Sequence, residues 1–87
     1  MASFPKKSSI QVVEVPKLSA EEFLRRRLAA DLTQAQLTML TDISRNRIAR
    51  VERGETASLM RDEDGTFFVP RALTLALIGV EEGRLRV

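Results

Sequence analysis

Three helix-start signals stand close together, at Ser19, Thr33 and Ser44, and they constrain this chain more than any other feature. In "KLSAEEF" Ser19 caps, Glu22 sits where a capping box needs its acid, and Leu18 with Phe23 supplies a hydrophobic staple. "LTQAQL" repeats the pattern with Thr33, Gln36 and the pair Leu32–Leu37. "ISRNRI" repeats it again with Ser44 and the pair Ile43–Ile48, although Arg47 takes the place of the box acid. Each cap satisfies amides that a helix end leaves unpaired, so the signals fix where helices begin. Phe23, Leu24 and Leu28 follow at helical spacing, which predicts one helix of about ten residues, from about Ala20 to Ala30, followed by two short ones. Only about four residues separate the second and third, which forces a steep crossing instead of an antiparallel hairpin.

Gly54 suits the position just past the third helix. Residues 19–54 therefore read as a three-helix core containing a helix-turn-helix. Around it, residues 1–9 read as a flexible tail and "IQVVEV" (10–15) as a strand stopped by Pro16. Two apolar arms around an Asp-Glu-Asp-Gly tip predict a β-hairpin within 58–69, and Pro70 opens a last helix over 70–79 with an apolar stripe of Leu73, Leu77 and Ile78. Gly79 is expected to close that helix, and "VEEGRLRV" reads either as a fraying end or as a final strand. The expected fold is mostly α: one compact helix-turn-helix domain of about four helices over 10–87, with an N-terminal strand and a short hairpin inserted before the last helix. Leu37, Leu40, Ile43, Ile48 and Val51 are expected in its core.

The side-chain inventory argues against an enzyme. Cysteine, histidine, tyrosine and tryptophan are all absent, which removes the thiol nucleophile, the usual base near neutral pH and the commonest metal ligands. The acids gather in "RDEDG" and "VEEG", which read as solvated turns without the raised pKa that acid–base catalysis needs. No catalytic residue, cofactor or metal is expected. No apolar run of membrane-spanning length and no signal-peptide core is written in the chain, so cytoplasm is the expected compartment.

Charge is distributed unevenly. Between residues 25 and 53 seven arginines face only Asp31, Asp42 and Glu52, whereas Arg61–Val87 holds four arginines against five acids. Basicity in the middle third suits a polyanion-facing surface, and a merely solvated basic face has the same composition.

At "TQAQLTMLTDISRNRIARVERG" the chain resembles the lambda-repressor-like, or Cro/C1-type (XRE), helix-turn-helix family of phage and bacterial regulators. Thr33-Gln34, Leu37, Ile43-Ser44, Ile48 and Glu52-Arg53-Gly54 carry the resemblance at the family's spacing, and Arg27 falls where the family places an arginine. The sequence departs at Thr38, where a small residue is usual, at Asp42 and Asp31, where glycine is usual, and in a longer stretch after Gly54. Aspartate adopts the left-handed conformation more readily than most residues, so Asp42 is compatible with the turn. The resemblance implies that Arg45, Asn46 and Arg50 contact base edges in the major groove of double-stranded DNA. Ser44 and Arg47 would lie beside them, and Gln34 and Arg53 would hold the phosphate backbone. It further implies a largely buried ion pair between Arg27 and Glu52.

The residue chemistry agrees independently. Arginine offers a fork that matches guanine O6 and N7, and asparagine does the same for adenine N6 and N7. Positions 45, 46 and 50 share one side of a helix while Ile48 and Val51 share the other. Arg25 and Arg26 read as solvated, and Lys6 and Lys7 as a soluble tail or an arm along DNA. Phe67 and Phe68 are neighbours in a strand, so one should enter the core and the other needs a cover; Val12 and Val13 pose the same problem. These four residues, with "RLRV", are the expected contacts of a homodimer.

The sequence thus points to a DNA-binding transcriptional regulator, a repressor acting as a homodimer on an inverted repeat. Two alternatives accompany it: an antitoxin-type autorepressor that also holds a toxin, and a protein-interaction module that keeps the fold for another regulatory protein.

Overall fold

The computed structural model describes residues 14–87. Four α-helices and one small hairpin make up its regular structure: α1 (Ala20–Ala29), α2 (Gln34–Thr41), α3 (Arg45–Glu52), a 3₁₀ turn (Thr56–Ser58), β1 (Met60–Arg61), β2 (Phe67–Phe68) and α4 (Arg71–Glu81). The expected tail and residues 10–13 of the expected strand, Val12 and Val13 included, lie outside the described residues. Glu14 and Val15, the rest of that strand, belong to no regular element.

All three start signals operate. The hydroxyls of Ser19, Thr33 and Ser44 accept from the backbone amides of Glu22 (3.1 Å), Gln36 (3.0 Å) and Arg47 (3.2 Å). Only Thr33 forms the reciprocal box, its own amide donating to Gln36 Oε1 at 2.9 Å. The expected box at Ser19 is half made. Glu22 instead pairs with Arg25 one turn on, and an exposed carboxylate with a cation that near satisfies it without turning back to the cap.

Helix ends are as definite as their starts. Asp31 (φ 60°) and Asp42 (φ 65°) both occupy the left-handed region, Asp31 beyond α1 and Asp42 as the C-cap of α2. After α3, Gly54 donates to the Val51 carbonyl (2.9 Å) and Glu55 to the Arg50 carbonyl (3.1 Å), the paired bonds of a Schellman end. α4 runs past Gly79 to Glu81, and the left-handed residue that ends it is Gly83. Gly79 is glycine for a different reason. The Leu85 side chain folds back over it, and a Cβ there would meet Leu85 Cδ1 at 2.6 Å. "VEEGRLRV" is thus a helix end with a returning segment, neither fray nor strand.

Phe23, Leu32, Leu37, Ile48, Val51, Val69, Leu73 and Leu77 form the buried core, with Leu40 and Ile43 packed at its edge. Burying such a side chain is worth about 1.5–3 kcal/mol. Intrinsic propensity contributes a few tenths of a kcal/mol per residue, so packing decides which helix face turns inward. In α1 that face holds Phe23 and, one turn on, Arg27. Leu28, expected on the apolar face, is therefore rotated into solvent at 60% exposure.

The hairpin is shorter than expected. Two residues pair on each side, Met60 with Phe68 and Arg61 with Phe67, because Ser58 is taken by the 3₁₀ turn. Neither phenylalanine enters the core; the next residue, Val69, does so, held by its amide to the Leu18 carbonyl at 2.8 Å. Cations flank the rings instead, with Lys17 Nζ 5.1 Å from the Phe68 centroid and Arg61 5.9 Å from that of Phe67.

Asp62 organises the hairpin tip by accepting from the amides of Asp64 and Thr66, both at 3.0 Å. The Thr66 bond first, the Asp64 bond and the neighbouring Lys17 charge hold its carboxyl below the ordinary value of 3.8. A depressed carboxylate pKa stabilises the fold above the ordinary value, and that contribution is lost as pH falls through the folded one. The Asp64 and Thr66 amide resonances should therefore shift together on acidification, with a midpoint below pH 3.8. A midpoint at or above that value would break the link between the carboxylate and the tip.

Two buried hydroxyls among the described residues have no partner. Thr74 is fully buried on α4 and its hydroxyl makes no hydrogen bond; the Thr38 hydroxyl is likewise buried and unpaired. An unsatisfied hydroxyl costs about 1–3 kcal/mol, while a methyl of the same shape costs nothing in desolvation. Thr74→Val should therefore raise stability by about 1 kcal/mol in a denaturant titration. A fall in stability would mean that the hydroxyl has a partner after all.

Candidate nucleic-acid interface

α2 and α3 are joined by Asp42, Ile43 and Ser44. The left-handed Asp42 reverses the chain, the Ser44 cap starts the next helix at once, and Ile43 packs against the core between them. Three residues are too few for an antiparallel return, so α3 crosses α2 steeply, and the residues of its first turn lie exposed.

Ile48 and Val51 are fully buried and fix the rotation of α3. Arg45, Asn46, Arg47 and Arg50 consequently all lie exposed. Asn46 and Arg50 share the outward side, and Arg45 and Arg47 lie at its two flanks. The Ser44 hydroxyl is occupied as a cap, which leaves it beside the exposed row at the helix start.

The electrostatics of this row are unfavourable to the isolated fold. Arg45 and Arg47 occupy the first turn of α3, the positive end of its dipole, and no acid compensates there. Arg47 and Arg50 are like charges three positions apart. Five arginines elsewhere find carboxylates, Arg25 with Glu22, Arg26 with Glu81, Arg27 with Glu52, Arg53 with Glu55 and Arg84 with Glu82, whereas Arg61, Arg71 and Arg86 stand singly away from α3. Among the described residues, Arg45, Arg47 and Arg50 have no carboxylate within salt-bridge distance. The row is a concentration of uncompensated cations beside one exposed amide.

Behind it lies a buried polar cluster. Arg27 forks onto Glu52, with Nη2–Oε1 at 3.0 Å and Nε to the other oxygen, and its Nη1 donates to the Leu32 carbonyl at 2.7 Å. The two side chains are only 10% and 6% exposed. Gln34 Nε2 donates to the same Glu52 oxygen at 2.9 Å. The cluster ties α1, the α1–α2 turn, the start of α2 and the end of α3 together. It orients the Gln34 amide with its nitrogen inward, leaving one N–H for an outside acceptor.

Four parts of this arrangement lie beyond what spacing revealed. Gln34 is a structural partner of Glu52 as well as a candidate phosphate contact. Arg53 is engaged with Glu55 (2.8 Å), an exposed pair weak enough to open for another anion. Arg26, expected to be solvated, instead joins α1 to α4 through Glu81, which raises its pKa through that hydrogen bond. Lys17 sits 3.6 Å from Asp62 and above Phe68, so it belongs to the hairpin. No helix among the described residues is long and apolar enough to cross a membrane.

No protein-family model, no curated protein and no solved structure matches this chain.

Proposed function

We propose that this protein is a sequence-specific DNA-binding regulator of transcription, a repressor that binds an inverted repeat as a homodimer. The observation that carries the reading is the uncompensated row Arg45, Asn46, Arg47 and Arg50 on the exposed side of α3. Three arginines at the positive end and along one face of a short helix cost the fold something, and nothing within the described residues offsets it. A polyanion does. The helix N-terminus enters a major groove with Arg45, Asn46 and Arg50 at the base edges, while Arg47, Arg53 and the free Gln34 N–H meet phosphates. One such helix reads few base pairs, and two helices about 34 Å apart reach successive major grooves on one side of the duplex. Blocking polymerase by occupancy is the simplest action for so small a protein.

The test is selection of bound duplexes from a random library at two salt concentrations. The expected product is a palindrome whose half-sites are centred about one helical turn apart, each with at least one guanine. Binding without an enriched motif, collapsing steeply with salt, would reduce the row to a phosphate contact. No binding at either salt would remove DNA as the ligand.

A further inference from the structure

α4 shows a second, outward-facing surface. Arg71, Leu75, Ile78 and Glu82 follow at the spacing of one helical face, opposite the buried Leu73 and Leu77. Leu75 is 46% exposed and Ile78 half-buried, and a groove between Leu75, Ile78 and Glu82 on one side and Glu14–Pro16 on the other borders the C-terminal half of the stripe. Leu85, folded over Gly79, extends the apolar surface at its end.

The charges at the ends of this stripe are reversed with respect to the helix dipole. Arg71 begins α4 and Glu82 caps it, with no acid in the first turn and no base in the last. Each charge is unfavourable at its own end and favourable at the opposite end of an antiparallel neighbour. The stripe is also symmetric about the point midway between Leu75 and Ile78. A second copy laid antiparallel therefore sets Leu75 against the partner's Ile78 and Arg71 against the partner's Glu82, each twice. Among the described residues Arg71 has no carboxylate partner. Glu82 is held by Arg84 at 2.6 Å, in an exposed pair that leaves it able to accept a second arginine.

We propose that this face of α4 is a self-association surface, its occupant being a second copy of the chain related by a two-fold axis. The proposal rests on the dimeric reading above for its purpose and not for its test. The contact is smaller than the roughly 1,600 Å² of a standard interface, so a dissociation constant in the micromolar range or weaker is expected.

Sedimentation equilibrium of the full chain without DNA, up to about 1 mM, measures it. The wild type should show a monomer–dimer equilibrium. Arg71→Glu and Glu82→Arg should each weaken it by at least about tenfold, because each sets like charges opposite one another twice. An equimolar mixture of the two variants should recover it, since both cross-pairs become opposite in sign. Both positions are exposed, and thermal melts that are unchanged or slightly raised will show that the variants fold. A wild type that stays monomeric overturns the proposal, as does a dimer indifferent to the swaps. A palindrome selected by such a protein would leave the DNA reading intact while removing this surface.

Discussion

Replacing Arg27 by alanine should lower stability by about 3–5 kcal/mol, the characteristic cost of stranding a buried charge. Glu52, 6% exposed, would keep its carboxylate with only Gln34 to donate to it, and the Leu32 carbonyl would no longer accept from Arg27. In a domain of this size each kcal/mol corresponds to about 4–8 °C, so the thermal midpoint should fall by more than about 10 °C. Such a shift would consume much of the total stability of a small domain. The companion experiment removes both charges. Arg27→Met with Glu52→Leu should be less destabilised than the sum of the single changes, because no unpaired ion remains. A melt unmoved by Arg27→Ala would mean that the cluster is not a structural tie between α1 and α3.

The second large effect has the opposite form. Simultaneous Arg45→Ala, Arg47→Ala and Arg50→Ala should leave the thermal midpoint unchanged or slightly raised, since the change removes like charges from the positive end of a helix. Affinity for the selected operator should fall on the order of a hundredfold to ten-thousandfold, as two bidentate base pairings worth about 1–3 kcal/mol each disappear. The logarithmic salt dependence of binding should become shallower by about 0.9 for each phosphate that the variant no longer neutralises. Singly, Arg45→Ala or Arg50→Ala should relax the preference at one base position. Gln34→Ala should weaken all sequences alike, and should also reduce stability through Glu52. If the triple variant bound its operator as tightly as the wild type, α3 would not be the reading element.

These two predictions separate because the same short helix has two faces with different tasks. Ile48, Val51 and Glu52 face the body and hold α3 in place, while Arg45, Asn46 and Arg50 lie exposed. Substitution on one side changes folding, and on the other it changes recognition.

Much of this was legible in the chain because its information is local. A cap and its amide lie three residues apart, a staple spans five, and a Schellman end closes within six, so Ser19, Thr33, Ser44 and Gly54 announce their helices without tertiary context. The exposed row followed from the same periodicity, once Ile48 and Val51 were assigned to the core. Even Asp42 in the left-handed region was readable, since the turn requires it and aspartate tolerates it.

Elsewhere the pattern misled where a neighbour distant in sequence held the deciding atom. Leu28 has the spacing of a core residue, but Arg27 takes the inward place because Glu52 and the Leu32 carbonyl are there to receive it. Gly79 resembles a helix end, yet it is a clearance for Leu85, and the chain turns only at Gly83. Phe67 and Phe68 promise a core residue, and Val69 supplies it because Leu18 pins its amide.

The sequence by itself determined where the helices of 20–54 begin, how tightly α2 follows into α3 and which side chains of α3 face outward. Those features depend on hydrogen bonds and periodicities contained within one or two turns. Only the tertiary structure decided that Gln34 shares Glu52 with Arg27, that Arg26 reaches Glu81, and that Leu85 closes over α4. Each of the two polar pairings joins atoms held in place by different helices, and nothing in the spacing along one helix specifies what another will bring against it.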